Sequence, residues 1–463
     1  MMALPTIAIL IFLISSCFIL LNWSISINSE RNGHRRGNTE NQQYENNMKT
    51  NDSLNDYTRC HMGGLFDTIT NECKCFQCKG GSVCFEEKPN CILDATSANP
   101  VMYEMYWASL PRLQSVLLEP DGANTYQTTL THDWRIGHYF FQESSSHNKH
   151  NGIIKDDKHY ASLELENSLR ALHHFVGNAN VDKHELVIGV GSTQLMHAAL
   201  YALERKWQKS QMDRSNALMN VTSRYPYYDE HKFSADFLPG MEWINYFQST
   251  SSLSNSCIVD IITMPGNPDA TMMDQKSSPC TFQVYDLAYY WPQYTPIVEK
   301  IHHDLMMFTL TKLTGHAGTR VGWAWVKDPQ IAQYMRDFVN LISHGVPHES
   351  QIRTVFLLKH LMPHKSEASN YKHLFEWGEE QMNIRWDRLD KLLQRTNRFI
   401  ISDRLGPYHD LYSNNMRRAI PAYLWMKCGW KDDLARGDGS CQRFILDEVG
   451  IIGREGQIYG GKN

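Results

Sequence analysis

An apolar run, DLMMFTL, ends at Leu310 and delivers Thr311 and Lys312, followed by Gly315, Gly318 and Arg320 before the chain turns apolar again in RVGWAWV. A lysine at the end of a buried run is costly unless its charge is paired or its pKa is lowered. Polar residues close comparable runs elsewhere. GVGSTQ sets Gly189, Gly191, Ser192 and Thr193 between a strand-like and a helix-like segment, where free N–H groups and hydroxyls make an anion site. Asn267 follows the run CIVDIITM, and Asp286 ends the run FQVYD. Each is ordinary cap or turn chemistry by itself. An anion cradle, an amide, a strand-end carboxylate, a lysine and an arginine are together the set that pyridoxal phosphate chemistry needs. Lysine forms the Schiff base and the carboxylate pairs with the pyridine nitrogen. Burial and the nearby Arg320 are expected to lower the Lys312 pKa and make its amine a nucleophile.

The elements that must position these residues are legible as alternating runs. HELVIGVG, CIVDIITM, FQVYDL, DLMMFTL and RVGWAWV read as strands. STQLMHAALYALERKW puts Leu195, Ala198, Ala199, Ala202 and Leu203 on one helical face. Strands alternating with helices imply a largely parallel sheet with its ligand site at the strands' carboxyl ends. From Pro329 onward PQIAQYMRDFVNLI, ESQIRTVFLLKHLM and HLFEWGEEQMNIRWDRLDKLLQ read as helices, with Asp328 as N-cap and Pro329 at the first helical position. PAYLWMKCGW falls in a smaller mixed region.

At 463 residues with 42% hydrophobic content, the chain can bury large cores. Its net charge of -5 gives no basic excess for nucleic acid, which is excluded as a partner. Residues 3–21 are apolar and uncharged, and read as a secretory signal or signal anchor within 1–26 that could tether the chain to a membrane. Ser24 and Ser26 allow cleavage, whereas Arg31, Arg35 and Arg36 would keep that flank cytosolic. Residues 27–58 form a polar linker. Six of the 11 cysteines lie between Cys60 and Cys91, and behind a signal segment they suggest a three-disulfide module over 59–95 in preference to a metal site. The sequons at Asn51 and Asn220 agree with a secretory route.

TKLTGHAGTRVGWAWVKD, YDLAYYWPQYTPI, GVGSTQL and PGNPDA, with YEMYW, WRIGHYFF, HHFVGNANV and PAYLWMKC, resemble the alliinase and tryptophan aminotransferase-related family of plants. The resemblance implies a fold type I aminotransferase architecture of α/β class. An EGF-like module would precede a large domain over 96–345 with a mainly parallel sheet, and a smaller α/β domain over 346–463. It implies a homodimer with active sites at the interface and pyridoxal phosphate as cofactor. By motif position Lys312 would carry the Schiff base, Asp286 bind the pyridine nitrogen, and Asn267 and Tyr289 bind the ring hydroxyl. Ser192, Thr193, Thr311 and Arg320 would hold the phosphate, joined by Tyr139 of the other subunit. Tyr228 would stack on the ring, and Cys428 and Cys441 would form a disulfide.

Two reactions follow from the family: transamination of L-amino acids, including aromatic ones such as tryptophan, or carbon–sulfur lysis of S-alkyl-L-cysteine sulfoxides. The cofactor residues serve both. The family usually carries PNNPDG and GDP where this chain has PGNPDA and ANP, the latter at Ala98–Pro100. Relatives continue beyond the position of Asn463 into a strand bearing the arginine for the substrate carboxylate, and Arg454 is not its equivalent. A shortened, catalytically impaired secretory protein is therefore a third expectation. Tyr289, Tyr290, Trp291 and Tyr294 are expected to be part core, part pocket wall. His316 could meet substrate or fix the loop, and the pairing of Cys257 and Cys280 is left open.

Overall fold

The computed structural model describes residues 161–210, 218–244, 258–272, 280–362, 372–393, 399–401, 405–428 and 441–460, with Ser82, Tyr103, Tyr106, Trp107 and short strands before residue 95. Those strands are β1 (Thr6–Ile9), β2 (Gly64–Asp67), β3 (Glu72–Cys75), β4 (Lys79–Gly80), β5 (Glu86–Glu87) and β6 (Leu93–Asp94). Within the cysteine-rich region β2 pairs with β3 and β4 with β5, both antiparallel. Cys73, Cys280 and Cys441 are disulfide-bonded.

The central sheet uses β7 (Glu185–Gly189), β8 (Met219–Thr222), β9 (Met241–Trp243), β10 (Val259–Thr263), β11 (Phe282–Asp286), β12 (Leu305–Thr309) and β13 (Gly322–Val326). Their order is β7-β13-β12-β11-β10-β8-β9. All pairings are parallel except those of β13, which runs antiparallel to both β12 and β7. The largely parallel sheet holds, with one reversal: the chain leaves β12, makes a short helical turn at Lys312 and returns directly beside the strand it left.

Both faces of the sheet are covered, so its strands read as continuous apolar runs. Leu305, Met307, Ala324 and Val326 face one core; Met306, Phe308, Trp323 and Trp325 face the other. The helices are α1 (Leu163–Val176), α2 (Gly191–Ser210), α3 (Asp229–Phe237), α4 (Leu310–Thr314), α5 (Pro329–Ser343), α6 (His348–His360), α7 (Leu374–Leu393) and α8 (Cys441–Val449). Leu195, Ala198, Ala199, Ala202 and Leu203 of α2 are all buried in the first of these cores, as the helical spacing predicts. Asp328 caps α5, its carboxylate accepting from Gln330 and Ile331 N–H at 2.8 and 3.2 Å ahead of Pro329.

His173 of α1 ties the second core together. Its ring lies 4.5 Å from Phe308 and 5.6 Å from Trp291, centroid to centroid. Nε2 accepts from Trp323 Nε1 at 3.0 Å, which leaves the proton on Nδ1 for Asn178 Oδ1 at 2.8 Å. Burial lowers the His173 pKa to about 3.

Beyond the central sheet lie β14 (Phe399–Ile401), β15 (Tyr408–Asp410), β16 (Asn415–Arg417), β17 (Leu424–Cys428), β18 (Ile451–Ile452) and β19 (Arg454–Glu455). A four-stranded sheet has the order β14-β17-β1-β19. Thr6–Ile9 are the described part of the apolar 3–21 segment, and they form a strand antiparallel to β17 and β19. Among the described residues no helix is long and apolar enough to cross a membrane. The Asn220 sequon falls inside β8, flanked by β10 and β9, where a surface loop would suit an acceptor site.

Candidate functional site

Strand register gathers the chemistry. Gly322 pairs with Thr309 on one side and with Gly189 on the other, so the ends of β7, β13 and β12 form one row. Gly189 leads into the GVGSTQ turn, Arg320 lies two residues before Gly322, and Lys312 lies three residues after Thr309. Asp286 ends β11 opposite Met307, and Thr263 at the end of β10 lies opposite Asp286.

Lys312 sits on α4, whose single turn is held from behind. Tyr103 Oη donates to Tyr294 Oη at 3.0 Å, and Tyr294 Oη donates to the Lys312 carbonyl at 2.9 Å. Gln293 Nε2 donates to the Leu313 carbonyl at 3.0 Å and Trp107 Nε1 to that of Thr314 at 2.8 Å. These bonds to three successive carbonyls hold the backbone of α4 in place behind the lysine side chain. Burial lowers the Lys312 pKa to about 7; Asp286 acts against that shift and Arg320 adds to it. Nζ lies 5.6 Å from the centre of the Tyr289 ring.

The GVGSTQ turn is built around close approach. A Cβ on Gly191, whose φ is +78°, would fall 2.4 Å from Arg320 Nη2. A Cβ on Gly322 would fall 2.6 Å from both Gly191 C and Ser192 N. Arg320 is thus held against the N-terminus of α2, where Ser192 and Thr193 occupy the first turn. It takes a left-handed backbone, φ +53°, a strained state that concentrates at functional sites. Thr311 is buried at the start of α4.

Asp286 is 8% exposed and its two oxygens are separately engaged. Oδ1 accepts from Ala288 N–H at 3.1 Å, and Oδ2 lies 3.2 Å from His231 Nε2. Asn267 is buried, and its Oδ1 has no hydrogen-bond partner. The loop carrying Asn267 is tied to β11, since Met264 N–H donates to the Asp286 carbonyl at 3.0 Å. Tyr289 packs edge-on against Tyr423 at 5.2 Å and Tyr294 at 5.4 Å. Tyr228 stands at the N-cap of α3, its ring 5.5 Å from that of His231.

Lys312, Asp286, Tyr289, Arg320 and the α2 terminus are brought to one edge of the sheet, and Asn267 and Tyr228 to elements in contact with it. Tyr139 lies outside the described residues. Tyr290, Trp291 and Tyr294 are fully buried core. His316 bonds its own loop, Nδ1 lying 3.0 Å from Thr314 Oγ1, and packs on Trp107 at 5.1 Å. Arg454 Nη1 lies 3.3 Å from both Asp229 oxygens and links β19 to α3. His231 was not among the expected site residues: YPYYDEH points to Tyr228, and nothing local ties a histidine to a carboxylate 55 residues away.

These groups fit pyridoxal phosphate. An orphaned buried amide oxygen suits a ring hydroxyl, a strand-end carboxylate suits a pyridine nitrogen, and an arginine wedged on a helix N-terminus suits a phosphate dianion. Among the described residues no cluster of His, Cys, Asp and Glu could hold a metal ion.

A family model described as Allinase matches residues 93–463. Tryptophan aminotransferase-related protein 1 of Oryza sativa subsp. japonica is 33% identical over 381 residues, 80% of this chain and 77% of that protein. Alliin lyase 2 of Allium sativum is 27% identical over 383 residues, 82% of this chain and 75% of that protein. Among solved structures, substrate-bound BacF of Bacillus subtilis superposes with a TM-score of 0.54 at 11% identity, covering 80% of this chain and 83% of that one, a likeness of fold. The architecture is that of the pyridoxal-phosphate-dependent fold type I aminotransferases, and with the family match spanning most of its length the chain belongs to the alliinase family.

Proposed function

We propose that the chain is a pyridoxal-phosphate-dependent aminotransferase of L-amino acids, aromatic ones such as L-tryptophan included. The observation that carries this reading is Lys312, an amine with its pKa lowered to about 7, beside the buried strand-end carboxylate of Asp286. Bound pyridoxal phosphate supplies the electron sink that loss of a proton from the substrate Cα requires. Lys312 moves that proton as general base, and a pKa near neutrality leaves a large share of it in the free amine form. Asp286 keeps the pyridine nitrogen protonated. Asn267 Oδ1 and Tyr289 hold the ring hydroxyl, Tyr228 covers a ring face, and Ser192, Thr193, Thr311 and Arg320 hold the phosphate.

The higher identity to an aminotransferase-related protein than to an alliin lyase supports transamination over carbon–sulfur lysis. Absorbance of the purified chain with pyridoxal phosphate, before and after L-tryptophan and then an S-alkyl-L-cysteine sulfoxide, tests the assignment. An oxo acid identifies transamination; pyruvate with sulfenate products identifies lysis. Lys312→Ala should abolish the lysine-dependent absorbance band, and a variant that keeps it refutes the role of Lys312.

The same reading makes the chain a homodimer on the secretory route, vacuolar or extracellular; the pairing of Thr6–Ile9 between β17 and β19 speaks against the expected single membrane span there. Exposed Phe237, packed on His197 of α2, and exposed Leu341 and Ile342 of α5 support a subunit contact near the phosphate cradle. Disulfide-bonded Cys73, Cys280 and Cys441 support an oxidising compartment. Sedimentation velocity checks the first point, and localisation of a tagged full chain checks the second.

A further inference from the structure

We propose that Tyr423 is a positioning residue that sets Asn267 and Tyr289 together against the cofactor's ring hydroxyl; this rests on the cofactor reading above. Tyr423 stands just before β17, outside the central sheet, and is 2% exposed. Its Oη donates to the Gly266 carbonyl at 2.6 Å, on the peptide that leads into Asn267, and lies 3.4 Å from the Pro265 carbonyl. Its ring meets that of Tyr289 edge to face at 5.2 Å and 89°. One side chain therefore supports both residues that take the same oxygen of the cofactor. The segment that delivers it is itself fixed. Ile420 N–H donates to the Tyr294 carbonyl at 2.9 Å, and Trp386 Nε1 to the Pro421 carbonyl at 2.9 Å. Tyr294 also holds the Lys312 carbonyl, so this strip of chain is placed relative to the lysine as well.

The needs of the loop itself do not account for the arrangement. The Gly266 carbonyl already accepts from Ala270 N–H at 2.8 Å, so it is satisfied without a second donor. Asn267 Oδ1 has no hydrogen-bond partner, which leaves the loop backbone to aim it. Burial raises the Tyr423 pKa well above its ordinary value, which keeps the phenol protonated and able to donate. Backbone bonds tie the loop to β11 and to itself, and Tyr423 adds a constraint from the C-terminal region. A misplacement of about 1 Å can cost a hundredfold at a reacting site, so a tether on the peptide next to Asn267 has leverage on the chemistry.

The test compares pyridoxal phosphate with its deoxy analogue, which carries hydrogen in place of the ring hydroxyl. Wild type, Tyr423→Phe and a chain with para-aminophenylalanine at position 423, which restores a donor at the end of the ring, are titrated with each compound. Tryptophan fluorescence reads binding, and circular dichroism with urea melts reads folding. Tyr423→Phe should weaken pyridoxal phosphate binding roughly tenfold, the scale of one lost hydrogen bond. It should weaken binding of the deoxy analogue less than about twofold, because the residues it acts through have no hydroxyl to hold there. The para-amino chain should bind pyridoxal phosphate within about threefold of wild type. Equal losses for the two compounds mark a merely structural role and overturn the proposal, as do unchanged affinity for both or no recovery in the para-amino chain. If Tyr423→Phe fails to fold, para-fluorophenylalanine, which fills the hydroxyl's space and cannot donate, takes its place under the same criteria. A wild type that binds neither compound overturns the cofactor reading and this proposal with it. A chain that binds pyridoxal phosphate but transforms no amino acid sinks the proposed function alone and leaves the comparison to decide Tyr423.

Discussion

Acid should unfold this protein through His173. The folded chain keeps the ring neutral down to about pH 3, whereas the ordinary value in an unfolded chain is 6.5. Below pH 6.5 the unfolded state therefore binds a proton that the folded state refuses, and stability falls as pH falls. The contribution is fully present above 6.5 and keeps declining until the folded ring protonates near 3. Each pH unit in that window removes about 1 kcal/mol, so acidification to about pH 4.5 removes a few kcal/mol from this residue alone, on the order of 2–3 kcal/mol. That is a large part of the margin of a folded domain.

Other groups titrate in the same range, so the measurement is a difference. Urea unfolding is followed by tryptophan fluorescence at several pH values for wild type and His173→Gln, which keeps polar atoms at the site and has nothing to titrate. Trp291 and Trp323 lie within 6.2 Å of one another around His173 and report the core directly. The variant should be less stable at neutral pH and should show a pH slope shallower by about 1 kcal/mol per unit at mildly acid pH. Parallel profiles would refute the claim that buried, neutral His173 limits acid stability.

Gly322→Ala should force β13 away from the Gly191–Ser192 backbone, lower pyridoxal phosphate affinity roughly a hundredfold, the scale of a small misplacement, and lower stability by about 1–3 kcal/mol, the scale of overpacking; fluorescence titration and urea melts read the two effects. Arg320→Gln removes a charge that holds the Lys312 pKa down, so the pH midpoint for cofactor capture by Lys312 should move up from its wild-type position near 7. Stopped-flow absorbance across pH checks the direction. Asp328→Ala should cost about 1 kcal/mol through loss of the α5 cap, measured by urea melts, with cofactor affinity unchanged.

Punctuated apolar runs made β7 and β10–β13 legible, because each is buried on both faces and ends abruptly at a polar or glycine-rich turn. Lys312, Asp286 and Asn267 stood out for the same reason, as polar residues closing those runs, and Arg320 as the charge just before the last of them. β8, reading MNVT, is too short and polar to stand out, and only its pairing with β10 makes it a strand. The reversal of β13 depends on how the chain turns at α4, which hydrophobic pattern does not encode. Long-range polar contacts were invisible: Tyr103 meets Tyr294 across 191 residues, and His231 meets Asp286 across 55.

The choice between two reactions cannot sit in the groups that hold the cofactor, since both need a protonated ring nitrogen and a base at Cα. It must lie in what surrounds the substrate side chain. The departure PGNPDA falls on a cavity lined by Ser223, Arg224, Tyr225, Gly266, Asp269 and Thr271. At Gly266 a Cβ would come 2.4 Å from Asp269 Oδ1 and 2.6 Å from Thr271 Oγ1, two atoms that are themselves hydrogen-bonded at 3.0 Å. The glycine thus makes room for a polar pair that a larger residue would displace. Gly266→Asn, which installs the residue that the sequence resemblance leads one to expect there, should break the Asp269–Thr271 pair and change the ratio of oxo acid to pyruvate, or KM for the amino acid, by several-fold. Cofactor absorbance should stay as it is, because Asn267 and Asp286 keep their supports. A variant with weakened cofactor binding but an unchanged product ratio and KM would place Gly266 with the cofactor groups and refute the separation argued here.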